Sequence, residues 1–211
     1  MALAAPDHWQ VYDEAGRRKY VNSAERGRFL EAAERLPPER RALCTLLVFT
    51  GCRISEALAL TRDHVDVERG TITFRTLKRR RIVFRMVPVP ESLVGMLMGL
   101  PVGSDGRFWP VHRTTAWRWV RGVMLQVGIV GPMACCKGCR HGFGMRAAAS
   151  NVPPNLIQRW LGHASPATTA VYLDAVGLEE RQFASRMWET TPYNVNPDYS
   201  RAVSSAVTGA T

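Results

Sequence analysis

Apolar side chains recur every three or four residues along most of the chain, which is the period of an amphipathic helix. The first such segment follows Asn22 and Ser23, either of which can cap a helix that runs towards Leu36. Pro38 can occupy the first turn of a second helix, which Gly51 ends. We predict further helices from Ile54 to about Leu60, up to about Met98, from Thr114 or Thr115 to about Val127, and over residues 140–150, 155–162, 166–174 and 177–188.

The period changes between residues 65 and 89, where β-branched and aromatic residues form short runs between turn signals. Glu68-Arg69-Gly70 supplies one turn, and the basic run Lys78-Arg79-Arg80-Arg81 supplies the second connection. The pattern predicts a small antiparallel sheet, so the predicted fold class is mainly α with a small antiparallel β-sheet (α+β). The apolar strand positions are Val65, Val67, Ile72, Phe74, Ile82, Phe84, Val87 and Val89.

Length and charge narrow the class of protein. The 211 residues suffice for one sizeable domain, and the formal net charge of +10 favours a polyanionic partner such as nucleic acid. No run of 18 apolar residues is present, and the N-terminus lacks the features of a signal peptide, so we expect no membrane association and a cytoplasmic location.

The five cysteines fit reduced thiols in such a compartment. Cys136 and Cys139 form one C-x-x-C pair, with Cys135 before it and His141 two residues after it. A structural zinc site usually needs two such pairs or added histidines. We therefore expect unligated thiols and no cofactor, with a metal-binding regulator built on these cysteines as one alternative.

Two basic motifs and a tyrosine carry the candidate chemistry. The segment Lys137-Gly-Cys-Arg140-His141 is followed by Leu161-Gly-His163 and then by Tyr172, and Gly51-Cys-Arg53-Ile-Ser-Glu56 lies upstream. Arginine holds phosphate oxygens bidentately and stabilises charge that develops on them. A tyrosine hydroxyl can act as a covalent nucleophile. Together these groups match what attack on a phosphodiester requires without a metal.

In order, spacing and residue type, these motifs resemble the catalytic domain of the tyrosine recombinase (phage integrase) family over about residues 20–188. The resemblance implies that Arg53 and Arg140 clamp the phosphate and that Tyr172 attacks it. His163 would donate a hydrogen bond to the phosphate. Lys137 departs from the family's more common histidine, and an ammonium ion binds phosphate but does not accept a proton unless its pKa is lowered.

The resemblance also implies a lysine that protonates the departing 5′ oxygen from a connection between two strands. Lys78 leads the basic run at that place, and lysine gives up a proton far more readily than arginine. We expect the remaining basic residues to contact DNA phosphates. These are Arg79, Arg80 and Arg81 beside Lys78, and Arg118 and Arg121 off the apolar face of the predicted helix after Thr115.

The expected organisation is an N-terminal segment over 1–20, a catalytic domain over 21–189 and a flexible tail over 190–211. Typical family members carry an N-terminal helical domain that closes a clamp around DNA. About twenty residues stand in its place here, so an accessory recombinase is one expected partner. An apolar stripe on 177–188 suggests self-association on DNA.

The function implied by the resemblance is site-specific DNA recombination through a 3′-phosphotyrosyl intermediate, independent of metal and ATP. The substrate would be double-stranded DNA, with the protein at the bacterial nucleoid when bound. Two further alternatives stay open: a non-catalytic DNA-binding module derived from an integrase, and a relaxing enzyme of the type IB topoisomerase kind.

Overall fold

The computed structural model describes residues 10–78 and 81–174, and of Leu77, Lys78, Arg81 and Ile82 it describes the backbone alone. Eight α-helices and three strands follow in chain order within these residues. They are α1 (Ser23–Glu34), α2 (Pro38–Thr50), α3 (Ile54–Ala57), β1 (Val65–Asp66), β2 (Thr71–Lys78), β3 (Arg81–Pro88), α4 (Glu91–Met98), α5 (Arg113–Gln126), α6 (Cys136–Ala149), α7 (Pro154–Leu161) and α8 (Ala167–Leu173), with a 3₁₀ turn at Arg62–His64. The predicted α+β class is confirmed.

Cap residues set the start of α1 and the end of α2. The Asn22 side chain accepts a hydrogen bond from the Glu25 backbone N–H (2.9 Å), and the Glu25 carboxylate accepts one from the Asn22 N–H (3.0 Å). This reciprocal pair satisfies two donors that a helix start leaves open. α2 carries Pro38 in its first turn and ends at Gly51, whose φ of 60° is left-handed. The predicted starts of both helices and the predicted end of α2 are therefore confirmed.

The three strands form one antiparallel sheet in the order β1-β2-β3. In the β2–β3 hairpin, Phe74 pairs with Arg85, and Ile72 pairs with Val87. Ile72, Phe74 and Val87 are buried, whereas Phe84 is 60% exposed. The predicted sheet is confirmed, but Phe84 points outward because Arg85 occupies the inward position beside it.

Several helix boundaries differ from the prediction. α6 starts at Cys136 and not at residue 140. α3 ends at Ala57, before Leu60. α5 starts at Arg113 because the His112 side chain accepts a hydrogen bond from the Thr114 N–H, which places the cap before the two threonines. The predicted helix over 177–188 and the tail lie outside the described residues. None of the described helices has both the length and the apolar composition needed to cross a membrane.

Helix α6 contributes to both apolar clusters of the described residues, and glycines let its neighbours approach closely. A Cβ on Gly138 would lie 1.9 Å from the Met133 carbonyl oxygen, and one on Gly144 would lie 2.6 Å from the Tyr172 ring. Each glycine lowers helix propensity by about 1 kcal/mol relative to alanine, so close packing must offset that loss. The smaller cluster contains Val11, Ala147, Ile157, Leu161 and Tyr172.

Replacing Gly138 with alanine tests this close approach. We expect Gly138→Ala to lower the free energy of unfolding by about 1–3 kcal/mol or more, because backbone must move to admit the methyl group. Gly122 on α5 is the matched control, since nothing lies within 4 Å of a Cβ there. Gly122→Ala should raise stability by about 0.5–1 kcal/mol. Urea denaturation of both variants measures the difference, and equal stabilities would contradict the packing of α6.

Candidate active site

Arg140 is a buried cation held by the ends of two helices. Its side chain lies in the second turn of α6, and the residue is 3% exposed. Its guanidinium donates to the Gly51 carbonyl (2.8 Å) and to the Leu161 carbonyl (2.6 Å). Burial, followed by the charge of Arg53, lowers the pKa of Arg140 to about 10. The guanidinium is therefore still protonated at neutral pH and is fixed in orientation.

Arg53 is oriented by Glu56. It is the N-cap residue of α3, and its backbone N–H donates to one Glu56 carboxylate oxygen (2.8 Å) while its Nη1 donates to the other (2.9 Å). Burial opposes ionisation of Glu56, but the hydrogen bonds and charge of Arg85, followed by those of Arg53, more than offset it and lower its pKa to about 2. Glu56 is thus a carboxylate at neutral pH and holds the first arginine in place.

The two arginines face one pocket. Arg53, Lys137 and Arg140 all line a cavity of about 330 Å³. Lys137 is exposed at the rim of this cavity, and partial desolvation of its ammonium group, followed by the charge of Lys19, lowers its pKa. Motifs far apart in the sequence therefore converge on one cationic site. Such a cluster attracts an anion, because like charges held close together are stabilised by a negative partner.

Tyr172 lies beside this site but is fully buried. Its hydroxyl lies 3.1 Å from Nδ1 of His141, and its ring stacks on His163 with centroids 5.9 Å apart. Burial raises the pKa of the phenol to about 12, against the opposing charges of Arg140 and Arg53. In this conformation the phenol is packed against α6 and hydrogen-bonded inside the protein.

Both histidines of the site are buried in the neutral form. Burial, followed by the charges of nearby lysine and arginine residues, lowers the pKa of His141 and of His163 to about 3. Nδ1 of His163 lies 2.9 Å from the Thr169 hydroxyl. If that hydroxyl donates to Nδ1, the ring proton is on Nε2, which can then donate to an incoming phosphate.

Lys78 ends β2, and its backbone pairs with Arg81 at the start of β3. The predicted lysine therefore lies at the end of a hairpin, beside the connection that contains Arg79 and Arg80. Arg79 and Arg80 lie outside the described residues, and only the backbone of Lys78 and Arg81 is described. Their roles stay predictions.

Helix α5 carries the remaining predicted DNA contacts. Arg118 is exposed, whereas Arg121 is partly buried and its Nη1 donates to the Ala134 carbonyl in the segment before α6. Two residues that the sequence reasoning missed, Arg113 and Trp117, line the same cavity as Arg53. Trp117 is 43% exposed. The i, i+4 spacing of Arg113 and Trp117 is the signal that places both on one face.

Arg85 is a third missed residue. It lies on β3 with its side chain 4% exposed, and it forms a salt bridge of 2.6 Å with Glu56. Its Nε donates to the Trp160 carbonyl (2.8 Å) at the end of α7. A charged residue between Val83 and Val87, in the inward phase of a strand, is the signal that could have found it, because a buried charge needs a partner.

The cysteines do not assemble a metal site. Among the described residues, no group of three or more histidine, cysteine or acidic side chains is placed to hold a metal ion. Cys136 and Cys139 lie within the first turn of α6, and burial raises the pKa of the Cys136 thiol to about 12. A metal ligand must be the thiolate, so this environment disfavours the metal-binding alternative.

Comparison with known sequences agrees with the geometry. Residues 19–100 match the phage integrase family. The tyrosine recombinase XerD of Mycobacterium leprae is 28% identical over 151 residues, covering 63% of this chain and 46% of XerD. A resolvase of Escherichia coli K12 is 27% identical over 224 residues, covering 87% of this chain and 82% of the resolvase. The chain spans about half the length of the XerD relatives it matches.

Solved structures share the fold. XerA recombinase superposes with a TM-score of 0.67 at 24% identity, covering 80% of this chain and 64% of XerA. XerH recombinase bound to palindromic difH substrate, a post-cleavage complex, gives 0.65 at 20% identity over 84% of this chain and 62% of XerH. The catalytic domain of bacteriophage HP1 integrase gives 0.61 at 21% identity, over 84% of this chain and 97% of that domain.

The fold is thus similar to that of solved tyrosine recombinases and of the HP1 integrase catalytic domain. The chain is therefore similar to the phage integrase family over residues 19–100 and to XerD tyrosine recombinases over 63% of its length.

The buried histidines predict a steep loss of stability in mild acid. Both have a pKa of about 3 when folded against an ordinary value of 6.5, so the unfolded chain binds more protons below pH 6.5. The free energy of unfolding should fall as pH drops from 6.5 to 5, by up to about 1.4 kcal/mol per pH unit for each histidine. Urea denaturation across this window measures the slope.

His141→Gln should reduce that slope by the share of one histidine, whatever it does to stability at pH 7. Gly138→Ala provides the control, because it changes stability without removing a titrating group and should leave the slope unchanged. A slope that is the same in all three proteins would show that His141 is not held neutral.

Proposed function

We propose that this protein breaks and rejoins double-stranded DNA in site-specific recombination. The observation that carries the proposal is the convergence of Arg53, Arg140 and Lys137 on one pocket, beside Tyr172. Attack on a phosphodiester builds negative charge on the non-bridging oxygens, and fixed guanidinium groups stabilise that charge where it develops. Cationic side chains supply the electrostatics, so the proposed reaction needs no metal. The covalent link between the tyrosine and DNA keeps the energy of the phosphodiester bond, so the reaction needs no ATP.

In the proposed step, the Tyr172 oxygen forms a bond to phosphorus, and the bond from phosphorus to the 5′ oxygen breaks. The phenolic proton passes to Nε2 of His163 in the tautomer whose Nδ1–H donates to the Thr169 hydroxyl, and the pKa of this imidazole rises when a phosphate anion lies beside it. Lys78 gives a proton to the departing 5′ oxygen. The product is a 3′-phosphotyrosyl link and a free 5′-hydroxyl. Attack by the hydroxyl of a partner strand reverses the step and rejoins DNA.

The buried phenol requires a rearrangement before attack. Tyr172 packs against Gly144 on α6 and cannot contact DNA in the described conformation. It lies near the end of the short helix α8, so a displacement of that helix would bring the hydroxyl to the cationic pocket. We propose that DNA binding favours the displaced state, because the cations of the pocket draw the phosphate to the place where the phenol must arrive.

The proposed partner is duplex DNA, and the XerH structure with its difH substrate supports it by likeness of fold. Arg118 and the run Arg79 to Arg81 would contact phosphates without reading sequence. Self-association on DNA and an accessory recombinase belong to the same proposal, because rejoining of two sites needs more than one active site.

A non-catalytic DNA-binding module is the second candidate. The observation that favours it is the complete burial of Tyr172, which leaves the cationic pocket able to bind phosphate without cleavage. Formation of a covalent adduct separates the two candidates.

Tyr172→Phe should abolish the covalent adduct while DNA binding stays within about twofold, because only the attacking oxygen is removed. The substrate is a pool of nicked duplexes of randomised sequence, in which the nick prevents rejoining. Adducts are isolated under denaturing conditions, and the attached residue is mapped by mass spectrometry. Tyr12→Phe, at an exposed tyrosine, is the control and should form adduct normally. An adduct of normal yield with Tyr172→Phe contradicts the assignment.

Lys78→Ala should be rescued by DNA that carries sulfur at the bridging 5′ position, because a thiolate leaves without protonation. Arg140→Ala should slow cleavage by about 10²–10³ and should not be rescued, since its charge acts on the non-bridging oxygens. Single-turnover rates on duplexes selected from the adduct pool measure both effects. Equal rescue of the two variants would move the general acid to another residue.

A further inference from the structure

Arg85 connects three parts of the protein through one guanidinium. Nη1 and Nη2 donate to the two Glu56 carboxylate oxygens at 3.1 and 2.6 Å, and Nη1 also donates to the Thr76 hydroxyl. Nε donates to the Trp160 carbonyl at 2.8 Å. The guanidinium also lies over the Phe74 ring, 5.0 Å from its centroid. The contacts thus join the sheet to α3 and to the end of α7.

Each of these contacts lies next to a residue of the proposed chemistry. The Glu56 carboxylate that Arg85 grips is the one that orients Arg53. Thr76 lies two positions before Lys78 on β2, so the two residues share one face of that strand. Thr76 also donates to Glu56 at 2.8 Å, which closes a network between strand and helix.

The third contact reaches the other side of the site. Trp160 directly precedes Leu161, whose carbonyl accepts from Arg140. The stem of Arg85 packs on Gly162, where a Cβ would lie 3.1 Å from Cδ of the arginine, and His163 comes next in the chain. One buried side chain therefore fixes the backbone that carries Arg53, Lys78 and His163.

We propose that Arg85 is a positioning residue that holds the phosphate clamp and the general-acid hairpin in register with each other. This inference rests on the proposed recombinase function. Arg85 is buried against Glu56, so it acts through the groups it binds. Its planar fork binds Glu56 bidentately and still reaches Thr76 and Trp160, whereas a lysine ammonium at the end of a flexible stem cannot satisfy all of these at once.

Loss of the phosphate clamp and loss of the general acid affect cleavage in different ways. A variant that is only less stable would not show this difference. Loss of the general acid is rescued by sulfur at the bridging 5′ position, and loss of a clamp arginine is not. Arg85→Lys keeps a cation beside Glu56 but weakens the hold on both the phosphate clamp and the general-acid hairpin. Thr76→Val keeps a β-branched residue in the strand and removes the hydroxyl that ties β2 to the guanidinium and to Glu56, while Arg85 can still donate to both Glu56 oxygens.

The experiment measures single-turnover cleavage at saturating protein, on normal DNA and on the sulfur-bridged DNA, with DNA affinity measured separately. Arg85→Lys should cleave normal DNA about 10–10²-fold more slowly, with affinity within about threefold, and sulfur should restore only part of the rate. Thr76→Val should lose up to about tenfold, and sulfur should restore it fully. The control is Arg75→Lys, an exposed arginine on the outer face of the same hairpin, which should cleave normally.

A fall in rate that only follows the folded fraction of each variant would show a structural role and overturn the inference. So would a normal rate for Arg85→Lys, or a Thr76→Val defect that sulfur does not restore. If Arg85→Lys does not fold, the Thr76→Val result decides. Failure of the wild-type protein to form any adduct contradicts the proposed function and this inference with it, whereas a normal wild-type adduct with unaffected variants contradicts the inference alone.

Discussion

The buried charge of Arg140 is the constraint on which the rest of the domain depends. A guanidinium inside a protein needs acceptors, and here the acceptors are the carbonyls of Gly51 and Leu161 at the C-terminal ends of α2 and α7. A helix C-terminus carries partial negative charge and leaves carbonyls unpaired, so it suits a cation. Both helices end at a left-handed glycine, Gly51 and Gly162, which fixes where those carbonyls lie.

The close packing of α6 follows from this arrangement. For Arg140 to reach both helix ends, α6 must lie between α2 and α7, and its glycines remove the side chains that would hold neighbours away. The same geometry brings Arg53 near Arg140, because Arg53 follows Gly51 by two residues. Two guanidiniums are thus held near each other before any substrate arrives. This preorganisation avoids reorganising the site as charge develops during a reaction.

The sequence predicted features that local chemistry determines. The Asn22 cap, the end of α2 at Gly51 and the strand–turn–strand pattern follow from cap and turn residues, and each is present. Which side chains of β3 face the core was not predictable from its apolar positions. The burial of Arg85 depends on Glu56, a residue far away in sequence. Pattern alone assigns a charged side chain to solvent unless its partner is known.

Within the candidate site, too, some features were predictable from the sequence and others were not. The motifs predicted which residue types come together, and Arg53, Lys137 and Arg140 do line one cavity. They did not predict that Tyr172 is buried, because burial of an aromatic ring is decided by tertiary packing against α6. A tyrosine is equally suited to packing and to chemistry. Its sequence context therefore indicates a role but does not show whether its side chain is buried.

In the proposed reaction, burial of the Tyr172 ring sets a thermodynamic relation between occupancy of the site by DNA and turnover. If the state with an available phenol is a minor one, a ligand that needs it binds with its intrinsic affinity reduced by that fraction, so a population of about 1% weakens apparent binding about 100-fold. A DNA sequence that binds tightly without drawing the ring from its place beside Gly144 would be occupied and inert. Rankings of DNA sites by affinity and by cleavage are therefore expected to differ, and selectivity would come from the difference in binding between the two states.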